Sequence, residues 1–219
     1  MSRYVIVVAG GSGLRMKADQ PKQFLKLDGI PILIRTLTKF KLAVSHIKTI
    51  VVLPVGYSEI WENYCLENEF TFRHIVCEGG ETRFHSVKNG LQHITSPGIV
   101  GIHDGVRPLI TPDLIERLYS HADIHGNAVP AIELNESIRR IDDQGNYPVP
   151  RRSYKAIQTP QCFHSNVLKE AYNQAYTEDF TDDATVVEKL GVKINLVEGE
   201  INNIKITTQQ DLLIAKALI

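Results

Sequence analysis

The string Val8-Ala9-Gly10-Gly11-Ser12-Gly13-Leu14-Arg15-Met16 directly follows an apolar run at residues 4–8. Three glycines in four positions let a backbone approach a ligand closely and turn its N–H groups into a concavity, which suits phosphate oxygens. Arg15 stands just past the loop, and Pro21-Lys22-Gln23 follows in the same excursion. Arg can engage two oxygens at once and Lys adds a compact charge, so the pair reads as a polyphosphate clamp. Two better-known templates fail. A Walker A loop needs Gly, four residues, then Gly-Lys-Ser/Thr, and the string lacks it. A dinucleotide fingerprint would need a further Gly, and an acid at the end of the second strand for the ribose; that place holds Leu53-Pro54-Val55-Gly56. A Gly-rich turn without a ligand is the plain alternative, and the neighbouring cations weigh against it.

Asp104 falls at the end of the fourth expected strand, residues 99–103, where a parallel sheet presents its ligands. A carboxylate there could hold Mg²⁺ through oxygen, and Arg107 could bind a phosphate; a local ion pair between the two is the alternative. Arg83 and Ser86 stand near the start of a helical stretch whose first N–H groups favour anions or carbonyl oxygens, or else cap a surface helix. Lys205 lies between Ile204 and Ile206, so on extended chain it points opposite to both, into a site or into solvent. His121 and His125 are four apart with no third ligand, which argues against zinc. Cys162 beside Phe163 reads as packing.

These groups need elements to hold them. The chain has 219 residues, 43% hydrophobic and 22% charged, enough to bury about 70% of its unfolded surface without staples. With 15 Gly and 10 Pro it is neither collagenous nor disordered. Residues 4–8 suit a strand buried on both faces. Strands are expected again at 47–53, 72–77 and 99–103, alternating with helical spacing at 32–43, 58–69 and 82–94. Thr111-Pro112-Asp113 opens another helix, with an N-cap Thr and Pro in the first turn. That alternation predicts a single α/β domain over 1–219, a twisted, mostly parallel sheet with helices on both faces. The rhythm breaks after residue 127. Strands are expected at 127–134 and 137–141, and residues 142–152 carry two prolines, one Gly and little to bury. The segment from about 137 to 152 therefore reads as a protruding β-arm. Helical spacing returns at 164–176 and 182–190, followed by a strand at 192–197 and a helix from Thr208, where Asp211 completes the outline of a capping box.

Charge excludes some partners. With 24 Lys and Arg against 25 Asp and Glu the net charge is −1, without the basic excess of a general nucleic-acid binder. No apolar stretch reaches the roughly 20 residues of a membrane span, and the first eight residues are too short an apolar run for a signal peptide. Three widely spaced cysteines suggest reduced thiols and a cytoplasmic location.

The pattern Gly-Gly-x-Gly-x-Arg-Met, then Pro-Lys-Gln, resembles that of sugar- and polyol-phosphate nucleotidyltransferases. Further strings follow in order: Gly79-Gly80-Glu81-Thr82-Arg83-Phe84-His85-Ser86-Val87, His103-Asp104-Gly105-Val106-Arg107-Pro108, Thr159-Pro160-Gln161, Thr181-Asp182-Asp183-Ala184 and Asn203-Ile204-Lys205-Ile206-Thr207. Together they resemble the 2-C-methyl-D-erythritol 4-phosphate cytidylyltransferase family across residues 4–214. The resemblance implies a Rossmann-like, nucleotide-diphospho-sugar-transferase-like fold. It also implies transfer of CMP from CTP to the polyol phosphate with release of pyrophosphate, in the non-mevalonate isoprenoid pathway. It implies Mg²⁺, held by Asp104, and a homodimer joined by the arm. Arg15 and Lys22 would be catalytic. Ala9, Gly10, Gly11 and Gly13 would line the nucleotide with Asp104 and Gly105, and Gly79, Gly80, Glu81, Arg83 and Ser86 would surround its base. Arg107, Lys205, Thr159 and Thr181 would position the acceptor, joined by Arg151 and Ser137 from the neighbour's arm. Three departures stand out: Val106 is bulkier than usual between Asp and Arg, Glu81 replaces a frequent Asp, and Ser137 follows Glu136 where Thr after Asp is common. Ribitol 5-phosphate cytidylyltransferase shares most of these motifs. A catalytically silent nucleotide-binding protein is a further alternative, against which intact Arg15, Lys22, Asp104 and Lys205 argue.

Overall fold

The computed structural model of the chain describes residues 1–11 and 21–219. Its centre is the apolar run that opens the chain. β1 (Ser2–Val8) lies between β4 (Lys48–Leu53) and β6 (Gly98–Asp104), parallel to both. Val8 pairs with Val52 on one side and Asp104 on the other, so three strands end at one level. That edge is where a parallel sheet binds ligands. β5 (Ile75–Glu78) extends the sheet beyond β4.

Both faces are covered because successive side chains point to opposite sides. Val5, Val7, Val51 and Leu53 pack against α1 (Ile32–Ala43), α2 (Ser58–Glu67) and α4 (Pro112–His125), which contribute Leu37, Phe40, Trp61 and Leu118. Tyr4, Ile6, Ile50 and Val52 pack against α3 (Arg83–Leu91), α5 (Ser165–Ala171) and α6 (Asp183–Glu188), through Val87, Leu168 and Val187. Each such fully buried side chain contributes about 1.5–3 kcal/mol of transfer free energy. Caps set the helix starts: Thr111 Oγ1 accepts from the Leu114 N–H, with Pro112 at the first position. α7 (Gln209–Ala217) opens on the capping box between Thr208 and Asp211. Its Ala215 packs with Leu27, Ile32, Val106 and Ile206, beside the small hairpin of β2 (Lys26–Leu27) and β3 (Ile30–Pro31).

The mostly parallel sheet expected from sequence is present, with two additions. β7 (Asn127–Glu133) runs in the sense of β6 but is separated from it by β11 (Gln161–His164), antiparallel to both. β10 (Lys155–Ile157) closes that edge, antiparallel to β7, and β12 (Leu196–Glu198) pairs parallel with β7. Boundaries also move. β5 begins at Ile75 rather than 72, and β12 lies at 196–198 rather than 192–197. The helix expected over 164–176 stops at Ala171. The arm is a hairpin of β8 (Arg139–Asp142) and β9 (Gly145–Pro148), closed at Gly145 with φ 134°. A short 3₁₀ turn, Arg151–Ser153, returns the chain to the sheet.

Candidate active site

The level ends of β1, β4, β5 and β6 bring the loops after β1, β5 and β6 side by side. Their backbones interlock: the Ala9 N–H donates to Val52 O at 2.8 Å, Gly79 to Leu53 O at 2.7 Å, and Gly105 to Val8 O at 2.9 Å. Side chains would be crowded there. A Cβ on Gly79 would lie 3.0 Å from Ser86 Oγ and 3.3 Å from Leu53 O; one on Gly105 would lie 3.0 Å from Ala9 Cβ. Gly10 leaves room only for ordinary contact with Ser86, and a Cβ on Gly80 would fall 2.5 Å from that of His85. Gln23, buried, donates from Nε2 to Ala9 O at 2.5 Å and so ties the two described ends of the glycine excursion together.

Between these loops lies a cavity of about 440 Å³, within the range of small-molecule sites. One wall is the backbone of Val8, Ala9, Gly10 and Gly11, with Lys22 and Gln23 beside it. The facing wall is Gly80, Glu81, Thr82, Arg83 and Ser86; Asp104, Val106 and Lys205 complete it. A larger concavity of about 580 Å³ at the other end of β4 lacks this convergence. There Lys48 Nζ lies 3.3 Å from Tyr4 Oη, and His74 Nε2 is taken by Trp61 Nε1 at 2.8 Å.

Asp104 is the electrostatic centre. Its Oδ2 receives Arg107 Nε at 3.0 Å and Lys205 Nζ at 3.2 Å, and its Oδ1 faces Arg83 Nε at 3.7 Å. Burial alone would raise its pKa; the charges of Arg83, Lys205 and Arg107 outweigh that and hold it well below the usual carboxylate range. Arg83 is shared with the buried Asp183, so three cations, Arg83, Arg107 and Lys205, meet two carboxylates here, and the balance favours a polyanion. Among the described residues no three His, Cys, Asp or Glu side chains gather as a metal cage. A single ionised carboxylate fits a divalent cation that draws its other ligands from substrate phosphates and water.

The sequence-derived candidates divide by position. Ala9, Gly10, Gly11, Lys22, Gly80, Glu81, Arg83, Ser86, Asp104 and Lys205 line the one cavity. Gly79 and Gly105 lie behind it as points of close packing. Arg107 is also behind: it forms the local pair with Asp104 and sends Nη1 to Asn203 O at 2.8 Å. Two hydroxyls expected at substrate are engaged by protein. Ser86 Oγ accepts from the Gly80 N–H at 3.1 Å and donates to Thr82 O at 3.0 Å. Thr159 Oγ1 accepts from the Asp104 N–H and lies 3.1 Å from His103 Nδ1, so it holds Asp104 from behind. Thr181 is exposed just before α6, and Ser137 and Arg151 are exposed on the arm, where the Arg151 guanidinium meets Asn135 O. These three do not line the cavity. Gly13 and Arg15 lie outside the described residues.

Sequence reasoning missed Gln23 and Asp183 as parts of the site. Asp183 is fully buried and receives Arg83 through both terminal nitrogens, at 2.8 and 2.6 Å. Both residues lay inside strings already singled out; what was missing was their partners, which come from distant segments.

The family model described as IspD: 2-C-methyl-D-erythritol 4-phosphate cytidylyltransferase matches residues 4–219. The chain is 48% identical over 219 residues to the protein of that description from Bacteroides thetaiotaomicron, covering 100% of both chains. It is 38% identical over 224 residues to the one from Geobacillus thermodenitrificans, covering 100% of this chain and 97% of the relative. Among solved structures, the Francisella tularensis 2-C-methyl-D-erythritol 4-phosphate cytidylyltransferase superposes with a TM-score of 0.81 at 31% identity, covering 100% of each chain. The Thermus thermophilus structure of the same description gives 0.80 at 30% identity, covering 100% of this chain and 98% of that one. With the same fold, motifs over its whole length and a phosphate-suited cavity at the sheet edge, this chain belongs to the 2-C-methyl-D-erythritol 4-phosphate cytidylyltransferase family.

Proposed function

We infer that the chain transfers CMP from CTP to 2-C-methyl-D-erythritol 4-phosphate, releasing pyrophosphate, as a step of isoprenoid synthesis. The observation that carries the reading is the cavity that gathers bare glycine backbone, Lys22, Arg83 and Lys205 around Asp104. An acceptor phosphate oxygen attacks the α-phosphorus, and the bond to the β-phosphate breaks. The acceptor needs no general base, because a phosphate monoester with a second pKa near 6 is already largely dianionic at pH 7. Catalysis then rests on positioning and on charge that meets charge in the transition state. Lys22 supplies that charge beside the glycine wall, together with Arg15. The Gly79–Arg83 segment and Ser86 form the base pocket, and Lys205 meets the acceptor phosphate, with Thr181 a further contact from outside the cavity. Arg107 and Thr159 act from behind by fixing Asp104.

Asp104 would hold Mg²⁺. When bound, the ion neutralises triphosphate charge and draws electron density from the reacting phosphorus. The working unit is a homodimer in which Ser137 and Arg151 of one arm complete the partner's acceptor site. The three cysteines are free thiols, in keeping with a cytoplasmic enzyme. No helix among the described residues is long and apolar enough to cross a membrane.

The test supplies purified protein with CTP, Mg²⁺ and one acceptor at a time, and follows pyrophosphate. Release is expected with 2-C-methyl-D-erythritol 4-phosphate and not with ribitol 5-phosphate. Replacing CTP by UTP should cost a large factor, because a base with the wrong donors leaves buried polar groups unpaired. Release with ribitol 5-phosphate alone would overturn the acceptor, and equal rates with UTP would overturn the cytidylyl assignment.

A further inference from the structure

Asp183, the second Asp of the Thr-Asp-Asp-Ala string, is fully buried, yet the reaction above gives it no part. Its two oxygens grip Arg83 end-on, Nη1 to Oδ1 at 2.8 Å and Nη2 to Oδ2 at 2.6 Å. Tyr172 Oη donates to the same Oδ1 at 2.6 Å. Tyr172 is itself fixed: its ring stacks 4.7 Å from that of Phe84, which stacks 5.5 Å from Phe180. A rigid aromatic pile therefore aims a buried acid at a cation that lines the cavity.

The other edge of Arg83 gives this grip its consequence. Among the described residues, Arg107 and Lys205 both sit on Oδ2 of Asp104, and Arg83 Nε faces Oδ1 at 3.7 Å. That is beyond hydrogen-bond distance. Two carboxylates compete for one guanidinium, and Asp183 holds it. With Asp183 neutral, attraction between close charges in a poorly solvated site would draw Arg83 onto Asp104 and close Oδ1.

We propose that Asp183 is a positioning residue that ties Arg83 back, so that Oδ1 of Asp104 stays open to the divalent cation accompanying the nucleotide. The proposal rests on the reading of Asp104 as the metal's carboxylate, and the experiment separates the two. The quantity to measure is the metal advantage, the affinity for Mn²⁺–CTP divided by that for CTP in chelator, with acceptor withheld. Water-proton relaxation reports the first and calorimetry the second. Asp183→Asn is expected to lower the advantage about tenfold, the size of coupling usual between groups in direct contact. Adding Arg83→Gln to Asp183→Asn is expected to return it to within about twofold of wild type, because the competing cation is gone. An unchanged advantage in Asp183→Asn overturns the proposal, and so does a double variant that stays low. Asp104→Asn serves as the control: if it keeps the wild-type advantage, the metal reading itself fails, and this proposal with it. Should Asp183→Asn not fold, as judged by circular dichroism, Tyr172→Phe removes one hydrogen bond to the same acid. It should lower the advantage about twofold, and no change there overturns the proposal equally.

Discussion

His103 adjoins Asp104 and shows how the site constrains a residue that touches no substrate. It has no exposed surface, its Nδ1 lies 3.1 Å from Thr159 Oγ1, its Nε2 lies 3.3 Å from Arg107 O, and Phe40 meets its ring edge-on. Burial lowers its pKa to about 3; Asp104 opposes the shift and Arg107 adds to it. The sign follows from linkage. In the unfolded chain His103 takes a proton below about pH 6.5, while in the fold it stays neutral down to about 3. Above 6.5 it contributes no pH dependence; as pH falls from there toward 3, stability is lost at a slope approaching 1.4 kcal/mol per unit. Asp104, with its pKa depressed, contributes in a separate window: its ionised form stabilises the fold above about 3.8, and that support is lost only at lower pH. Denaturant midpoints at pH 7, 6 and 5 should therefore fall for the wild type and much less for His103→Gln. Equal slopes in the two proteins would remove His103 from the account. At this scale the sequence disclosed the groups that act through type and spacing: glycines, Lys22, Asp104. It concealed Asp183, because an acid after an N-cap Asp is an ordinary helix start; only Arg83, arriving from 100 positions earlier in the chain, changes its meaning.

Elements carry the site's precision, and α6 illustrates it in six residues. Asp182 Oδ1 accepts from the Thr185 N–H at 2.9 Å, Thr185 Oγ1 returns to the Asp182 N–H, and Gln161 Nε2 reaches Asp182 Oδ2 at 2.8 Å. Gln161 Oε1 also accepts from Ala184 N at 2.8 Å, so β11 docks the first turn that holds Asp183. Asp182→Ala should cost about 1–2 kcal/mol of stability, the usual value of a lost N-cap. It should also raise KM for CTP more than it lowers kcat, since Arg83 loses a fixed partner while Lys22 is untouched. A stability loss with unchanged KM would mean the cap serves the helix alone. The same elements explain what was legible. α1 was readable over 32–43 and α4 at its start because amphipathic spacing and an N-cap Thr with Pro coincided with the starts Ile32 and Thr111-Pro112. β11 was not. Gln-Cys-Phe-His after Pro160 has neither alternation nor β-branched residues. It is extended because β6 and β7 leave one strand's width between them, and pairing on both sides fixes it there.

At the scale of the whole molecule the arm is the unfinished part. β8 and β9 form a two-stranded hairpin whose residues are almost all exposed, with Ile141 81% and Tyr147 43% accessible. A lone two-stranded hairpin is at best marginally stable in water, and these side chains have nothing of their own chain to cover them. Arg151, at its base, would make a poor phosphate ligand from a mobile platform, since ordering its side chain costs entropy at each binding event. Packing the arm on a second copy, as proposed, would meet both needs and set Arg151 in advance beside the partner's acceptor site. Lys22→Ala and Arg151→Ala proteins, mixed, decide the matter. Each parent should be weak, Lys22→Ala by roughly 100-fold or more in turnover if it meets transition-state charge. If Arg151 acts across the interface, a mixed dimer carries both lesions in one site and none in the other. Subunit exchange should then restore the heterodimer toward half the wild-type rate. If Arg151 serves its own subunit, every site keeps one lesion and mixing restores nothing. Native mass spectrometry must show that heterodimers have formed; with them present, an unrestored rate would place Arg151 in its own subunit's site and leave the hairpin's exposed face without a catalytic reason.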